Sequence, residues 1–330
     1  MRKLKKSPIL LFVIILIVLY AIIYIIPTVS GAMVSSYVAE YGELKIYDET
    51  EAYFVRDESV YLARATGETN YFYKQGSLLR KESKVMSVKA KEYAEGEEPV
   101  PSAAYDDVLT RLDGKVKKKK NYRVSDVGVV SYFVDGYESV LTPKNMAKKD
   151  YSFYHQISEK DVLSLRRKSV IKGEPVFKIV DRTKWYMVCY VDEEHLERYE
   201  KGSRVKVEFE DGDVLAYVYK TKKEDGKGKV ILETGYYYDK FAELRKTDVT
   251  LVTYNESGVI VENSSIGEKD GQVGVYVKNK SDDFIFVPIK VYATDGEKSL
   301  IADDFYYDTE KDGEIVYTVE VYDEILKDAK

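Results

Sequence analysis

The chain has 330 residues with 51 Lys and Arg against 57 Asp and Glu, and setting aside Arg2, Lys3, Lys5 and Lys6 at its start leaves 47 against 57, a net charge of −10. Both signs are interspersed, which fits a solvated surface and argues against nucleic acid as a partner. Cys189 is the only cysteine, so the fold rests on its core and not on disulfides, and within Trp-Tyr-Met-Val-Cys-Tyr-Val it reads as a small buried apolar residue.

The first element is an uncharged run of 18 residues, Ile9 to Ile26. As a helix it would extend about 27 Å, close to the roughly 30 Å of a bilayer's hydrocarbon layer. Pro8 suits a first helical turn and Pro27 ends the run, with Tyr20 and Tyr24 placed for the outer interface. The expectation is a transmembrane helix over 9–26 in contact with lipid. The basic flank keeps the tail, residues 1–8, cytoplasmic and the other 304 residues outside, which makes this a single-pass cell-membrane protein. A cleaved signal peptide is the competing reading, because Ser30-Gly31-Ala32 offers small residues. The apolar run exceeds a signal's usual core of about 7 to 15 residues, which favours a retained anchor.

Beyond it, short runs of Tyr, Val and Ile between Gly, Asp and Asn turns read as strands. They fall at 53–55, 71–73, 129–134, 176–180, 185–191, 205–209, 215–220, 229–233, 249–254, 259–262, 273–278, 284–292 and 315–322. Weak helical patterns occupy 102–112, behind a Ser cap, 159–167 and 193–200. Residues 94–121 fit neither strand nor compact turn and read as a short linker; their run Lys117 to Lys120 reads as a solvated loop.

A faint repeat flanks that linker. Gly67-Glu-Thr-Asn-Tyr-Phe-Tyr-Lys-Gln-Gly76 parallels Gly128-Val-Val-Ser-Tyr-Phe-Val-Asp-Gly136, and the stretch from Leu79 to Val88 parallels that from Val170 to Ile179. Each half is too small to bury a core alone, so the two are expected to interlock in one β-sandwich.

Catalytic or metal chemistry has little to draw on. His155 and His195 lack metal-ligand spacing to Cys or to each other, and His195, beside Glu193, Glu194 and Glu197, reads as an exposed helix residue. No nucleophile elbow, phosphate loop or dinucleotide fingerprint occurs. Asp303-Asp304, Asp211-Gly-Asp213 and Asp181 read as solvated turns, since none fits an alternating calcium-ligand loop. The expectation is no enzyme, no cofactor, and no catalytic, cofactor-binding or metal residues. Tyr236-Tyr237-Tyr238 and Phe305-Tyr306-Tyr307 are the densest aromatic clusters, read as cross-strand pairs before partner surfaces.

An anchor followed by two half-motifs around an insertion resembles the HlyD-like membrane fusion proteins, or periplasmic adaptor subunits. Ser169-Val-Ile-Lys-Gly-Glu-Pro-Val-Phe-Lys-Ile-Val-Asp181 is similar to the ending of that family's split lipoyl-like domain. Residues 185–233 resemble its β-barrel, and 258–266, 271–277 and 286–291 its membrane-proximal domain. The implied fold is mainly β: lipoyl-like (barrel-sandwich hybrid) halves at 45–93 and 122–181 around the 94–121 linker, a β-barrel at 182–250 and a membrane-proximal-like β domain at 251–330. Lys144 in Pro-Lys-Asn-Met raises lipoylation, which is set aside because true carriers hold the lysine at a hairpin tip. Glu262 stands where the family often has proline, and the final strand lacks the usual glycine-aspartate turn.

The implied function is a non-enzymatic membrane adaptor that assembles with an integral membrane transporter permease for export, its domains hinging with the transporter's cycle; a homo-oligomer is among the implied partners. The family's long α-hairpin, used for docking onto an outer-membrane channel, is missing from 94–121. That departure keeps open a cell-envelope or cell-division scaffold that uses the same fold for protein contacts.

Overall fold

The computed structural model describes residues 8–20, 35–94, 99–118, 121–308 and 313–329. The chain divides into two compact units, Tyr47–Thr253, and Met1–Ile46 with Tyr254–Lys330.

In the larger unit the two sequence repeats interleave. Gly67–Tyr71 pairs with Met86–Ala90 from its own half and with the short Ser169–Val170 strand from the other. Gly128–Ser131 likewise pairs with Pro175–Val180 of its own half and with Leu78–Leu79 of the first, while Glu58–Leu62 extends that sheet along Pro175–Val180. The second half therefore lends Ser169–Val170 to the first half's sheet, and the first half lends Glu58–Leu62 and Leu78–Leu79 to the second's. The leading glycine of both motifs is required by the same close approach. A Cβ on Gly67 would fall 2.0 Å from the carbonyl oxygen of Lys89, and one on Gly128 would fall 2.6 Å from that of Val180. The closing glycines, Gly76 and Gly136, both take positive φ, +77° and +84°. Between the sheets lie Val60, Val130, Tyr132, Val176 and a Tyr61–Phe177 stack with centroids 4.5 Å apart.

The described part of the linker folds back onto this core. Ser102 Oγ accepts from Ala104 N, a 3-10 turn at Ala103–Tyr105 leads into the Asp106–Leu112 helix, and Tyr105, Val108 and Leu112 are buried in the same core. Lys117 pairs with the edge of Glu58–Leu62 through Lys117 N–Val60 O and Leu62 N–Lys117 O, and Lys118 is exposed. Lys119 and Lys120 lie outside the described residues.

Trp185–Asp192, Lys227–Thr234, Gly212–Glu224 and Arg204–Phe209 follow as an antiparallel ribbon. Residues 250–252 close one side against Lys206 to Glu208, and Tyr53 to Val55 pair with Trp185–Asp192 on the other, giving a closed barrel. Inside it Phe54 stacks on Trp185 at 5.3 Å and Phe209 on Tyr238 at 4.2 Å, with Met187, Cys189, Val207 and Leu232 around them.

In the smaller unit Gln272–Lys278 pairs with Gly267–Lys269 and Phe284–Pro288, and Ser36–Val38 pairs with Glu324–Leu326. Lys298–Ile301 pairs with residues 259–262 and with Val291–Thr294, over a core of Val261, Val275, Ile301, Val319 and Ile325. The expected strand 284–292 is therefore two. Pro288 has no N–H to continue the ladder, and past it Ile289 N donates to Val273 O while Lys290 O accepts from Ala302 N. Conversely 249–254 and 259–262 belong to one strand, Lys246–Glu262, and residues 40–52, which carried no strand signal of their own, belong to Glu40–Val55. The helix expected at 159–167 reduces to a 3-10 turn at Glu159–Asp161 followed by the Leu163–Ser164 strand.

The described residues do not carry the expected N-terminal span in full. The described helix is Pro8–Tyr20, 13 residues, which at about 1.5 Å per residue reaches roughly 20 Å. Among the described residues no helix is long and apolar enough to cross a membrane, and residues 21–26 of the expected span lie outside them. Side chains from Phe12 to Tyr20 are all exposed.

Candidate functional site

The densest polar chemistry is a buried cluster where the interleaved sheets meet the barrel. Arg56 directly follows the barrel strand Glu40–Val55, Glu58 opens the next strand, Lys178 lies midway along Pro175–Val180, and Asp135 and Glu138 flank the Gly136 turn. Arg245 binds across them: its Nε donates to Asp135 Oδ2 at 2.6 Å, one terminal nitrogen to Glu58 Oε2 at 2.7 Å, and the other to the Phe54 carbonyl at 2.9 Å. Lys178 Nζ sits 2.7 Å from Glu58 Oε1 and 3.1 Å from Glu138 Oε1. Arg56 Nε lies 3.2 Å from Glu58 Oε1, unaligned for a hydrogen bond, and its guanidinium rests over the Phe54 ring. The three cations balance the three anions.

Burial opposes ionisation of Glu58, but Arg245, Arg56 and Lys178 override it and hold the carboxyl far below the usual range. Asp135 is likewise lowered, against its burial, by Arg245 and Lys178. Glu138 moves the other way, raised by burial and by the charge of Asp135, although it accepts backbone N–H bonds from Asp135 and Gly136. The cluster holds no metal geometry, and among the described residues no group of His, Cys, Asp and Glu is placed to take a metal ion. Its chemistry is adhesion. Sequence reasoning passed over these six residues, although one signal was available: Lys178 stands in the middle of Pro-Val-Phe-Lys-Ile-Val, a strand buried at every position.

A second joint lies beside it. Residues between Val134 and Leu163 form turns at Tyr137–Ser139 and Met146–Lys148 and a short helix at Tyr151–His155. They place Leu141, Met146, Tyr154 and Ile157 against Tyr53, Val188, Tyr190 and Ile231 on the outside of the barrel. Tyr154 Oη donates to the Met146 carbonyl at 2.8 Å, and Lys229 Nζ lies 4.9 Å from the Tyr154 ring centroid and donates to the Lys149 carbonyl. The lipoyl-like and barrel parts are thus joined by an ionic cluster and an aromatic one.

His195 is not the exposed helix residue expected. Its Nδ1 lies 2.5 Å from Asp48 Oδ1, and Asp48 also accepts from Tyr199 Oη at 2.6 Å, which docks the Glu193–Arg198 turn on the barrel. Nε2 faces Glu194 Oε1 at 3.9 Å. His155 stacks on Tyr151. Cys189 is fully buried, which raises its thiol pKa steeply. Lys144 is exposed in the turn closed by Thr142 N and Asn145 Oδ1, away from any strand. Asp181 accepts from Thr183 N and Oγ1, Asp211 binds Tyr238 Oη and Lys240, and Asp303 and Asp304 are exposed. Of the aromatic clusters, Tyr238 joins the barrel core while Tyr236 and Tyr237 face solvent; Tyr306 is half-buried while Phe305 and Tyr307 face solvent.

The departures noted in sequence have physical reasons. Glu262, where the family often has proline, donates its N–H to Tyr37 Oη at 2.9 Å, a bond proline could not make. The final turn survives without glycine because Tyr322 itself adopts φ +77°.

A family model for the RND-related barrel-sandwich hybrid domain matches residues 58–181, and one for the RND-related β-barrel domain matches residues 185–255. No curated protein matches. Among solved structures, MacA from Actinobacillus actinomycetemcomitans is similar at 8% identity over 89% of this chain and 100% of that one, with a TM-score of 0.36. ZneB from Cupriavidus metallidurans is similar at 13% identity over 90% and 93%, TM-score 0.28, and the membrane fusion protein Spr0693 from Streptococcus pneumoniae R6 at 10% over 64% and 98%, TM-score 0.26. With both domain models matched in order on the interleaved sheets and the closed barrel, the chain belongs to the RND-related family whose barrel-sandwich hybrid and β-barrel domains those models describe.

Proposed function

We propose that this protein is a membrane-anchored, non-enzymatic adaptor that assembles with an integral membrane transporter for export. The observation that carries the reading is the adjacent pair of adaptor domains, barrel-sandwich hybrid then barrel, bonded into one body by groups whose only evident chemistry is cohesion. Anchoring is supported by the uncharged run from Ile9 to Ile26 and by the exposed apolar side chains from Phe12 to Leu19. On this reading residues 1–8 are cytoplasmic, the rest is extracytoplasmic, and the smaller unit is a membrane-proximal-type domain. Its direct test is crosslinking in cells, gentle extraction of the tagged full-length chain, and mass spectrometry. Recovery of a transporter permease supports an adaptor, and its absence across every candidate permease removes the reading.

One observation favours a scaffold of the envelope or division machinery instead. The Asp106–Leu112 helix folds onto the domain it leaves, so it offers no projecting hairpin for an outer-membrane channel. Division or wall-synthesis proteins recovered without a permease would select that reading.

A further inference from the structure

The smaller unit carries a feature that the adaptor reading does not require. Phe305–Asp308 and Glu314–Tyr317 pair as a two-stranded hairpin in the register Phe305↔Tyr317, Tyr306↔Val316 and Tyr307↔Ile315. Side chains alternate across such a ribbon, so Phe305, Tyr307, Ile315 and Tyr317 share one face. They are 40%, 57%, 49% and 72% exposed, while Tyr306 and Val316 opposite are half-buried, with Lys290 over the Tyr306 ring. The patterning is inverted: the outward face of the hairpin is wholly apolar. Cross-strand pairing explains part of this, yet the Tyr317 ring is left 72% exposed.

Tyr322 is an independent observation. It holds the turn that precedes Glu324–Leu326 at φ +77°, where glycine is at ease and a bulky residue is strained, and its side chain is 82% exposed. Its backbone N–H donates to the Ala39 carbonyl at 2.8 Å, which holds the turn, while the ring itself is left facing solvent and so is open to a partner.

Charge selects the kind of partner. From Asp303 to Asp323 the sequence has eight acidic residues and one lysine, a net charge of −7. An anionic bilayer attracts basic segments and repels this one. Two copies face to face would oppose the same charge to itself. A protein segment bearing Lys and Arg among apolar residues is complementary on both counts, since its cations meet the carboxylates and the tyrosine faces while its apolar side chains cover the ribbon.

We infer that the Phe305–Asp308 and Glu314–Tyr317 hairpin, with Tyr322, is a docking surface for a basic, amphipathic protein segment. The inference stands whichever transporter or envelope protein supplies that segment, and it stands without the adaptor reading.

The test titrates an amphipathic leucine–arginine peptide and its leucine–glutamate counterpart into the full-length chain in zwitterionic nanodiscs, with empty nanodiscs as reference. The arginine peptide is expected to bind, to weaken with salt, and to bind at least tenfold more weakly to the Tyr307→Ser/Tyr317→Ser variant, while the glutamate peptide does not bind. Equal binding to wild type and variant, or none to wild type, overturns the inference. So does quenching of Tyr317→Trp emission by brominated lipid, which would mark a bilayer contact, or self-association abolished by the serine pair, which would mark a second copy. Tyr322→Gly should raise the melting temperature while weakening the peptide; a variant that binds as well as wild type removes Tyr322 from the surface.

Discussion

Arg245→Met tests whether the buried cluster holds the larger unit together. The substitution keeps the volume but deletes the bonds to Asp135 at 2.6 Å, to Glu58 at 2.7 Å and to the Phe54 carbonyl at 2.9 Å, leaving Glu58, Asp135 and Glu138 against only Arg56 and Lys178. Breaking one partner of a fully buried pair costs about 3–5 kcal/mol. For a unit of this size each kcal/mol lowers the melting temperature by about 2–4 °C, so calorimetry should show a fall of about 6–20 °C in that transition. The deficit should also depend on pH. Glu138 already sits above its ordinary value because of burial and Asp135, and the excess negative charge would raise it further. A raised carboxyl is protonated in the folded state while still ionised in the unfolded one, so falling pH relieves the variant until the unfolded carboxyl titrates too. Glu58 and Asp135, both lowered, act with the opposite sign: their stabilisation is present above the ordinary carboxyl range and is lost only as pH falls through their depressed values. A fall of less than about 1 kcal/mol, or a deficit that grows between neutral pH and mild acid, would refute the reasoning.

Gly128→Ala should destabilise by about 2 kcal/mol or more, because its Cβ would meet the Val180 carbonyl oxygen and Ile179 Cγ2, both at 2.6 Å; urea unfolding checks it. Tyr154→Phe leaves the Met146 carbonyl without its 2.8 Å donor and should cost about 1–3 kcal/mol, read as faster hydrogen exchange at the Leu141 and Ile157 amides. Cys189, fully buried with its thiol pKa pushed up by that burial, should resist thiol reagents in the native chain and react only at the rate of unfolding.

Much of the barrel was legible because its strands alternate strongly, as in Arg204–Phe209, and because Trp185 begins an eight-residue run of apolar and aromatic side chains broken only at its final aspartate. The repeat was legible for a sharper reason: Gly67 and Gly128 mark the same backbone contact twice, so geometry fixed the residue. Residues 40–52 were not legible as strand because Glu, Lys and Asp break the alternation there, and strand pairing overrode local preference. The buried cluster joins residues as far apart in sequence as Glu58 and Arg245, which no local window shows. His195 reads as solvated beside three glutamates, yet its partner is Asp48, 147 positions away.

The same two joints bear on how the larger unit moves. A bend at residues 182–184 would draw Arg245 away from Asp135 and Glu58, and Tyr154 and Ile157 away from Tyr190 and Val188. Water entering the first contact would have to solvate six charges, and opening the second would expose a cluster of fully buried rings; either alone exceeds thermal energy several-fold. The barrel-sandwich hybrid and the barrel are therefore expected to swing together. Spin labels at Lys81 and Lys201, both exposed and one in each domain, should give a single narrow distance in the full-length chain, broadened by Arg245→Met. A broad distribution in the unsubstituted chain would mean that these contacts open in solution and that the hinge expected from modular domains exists after all.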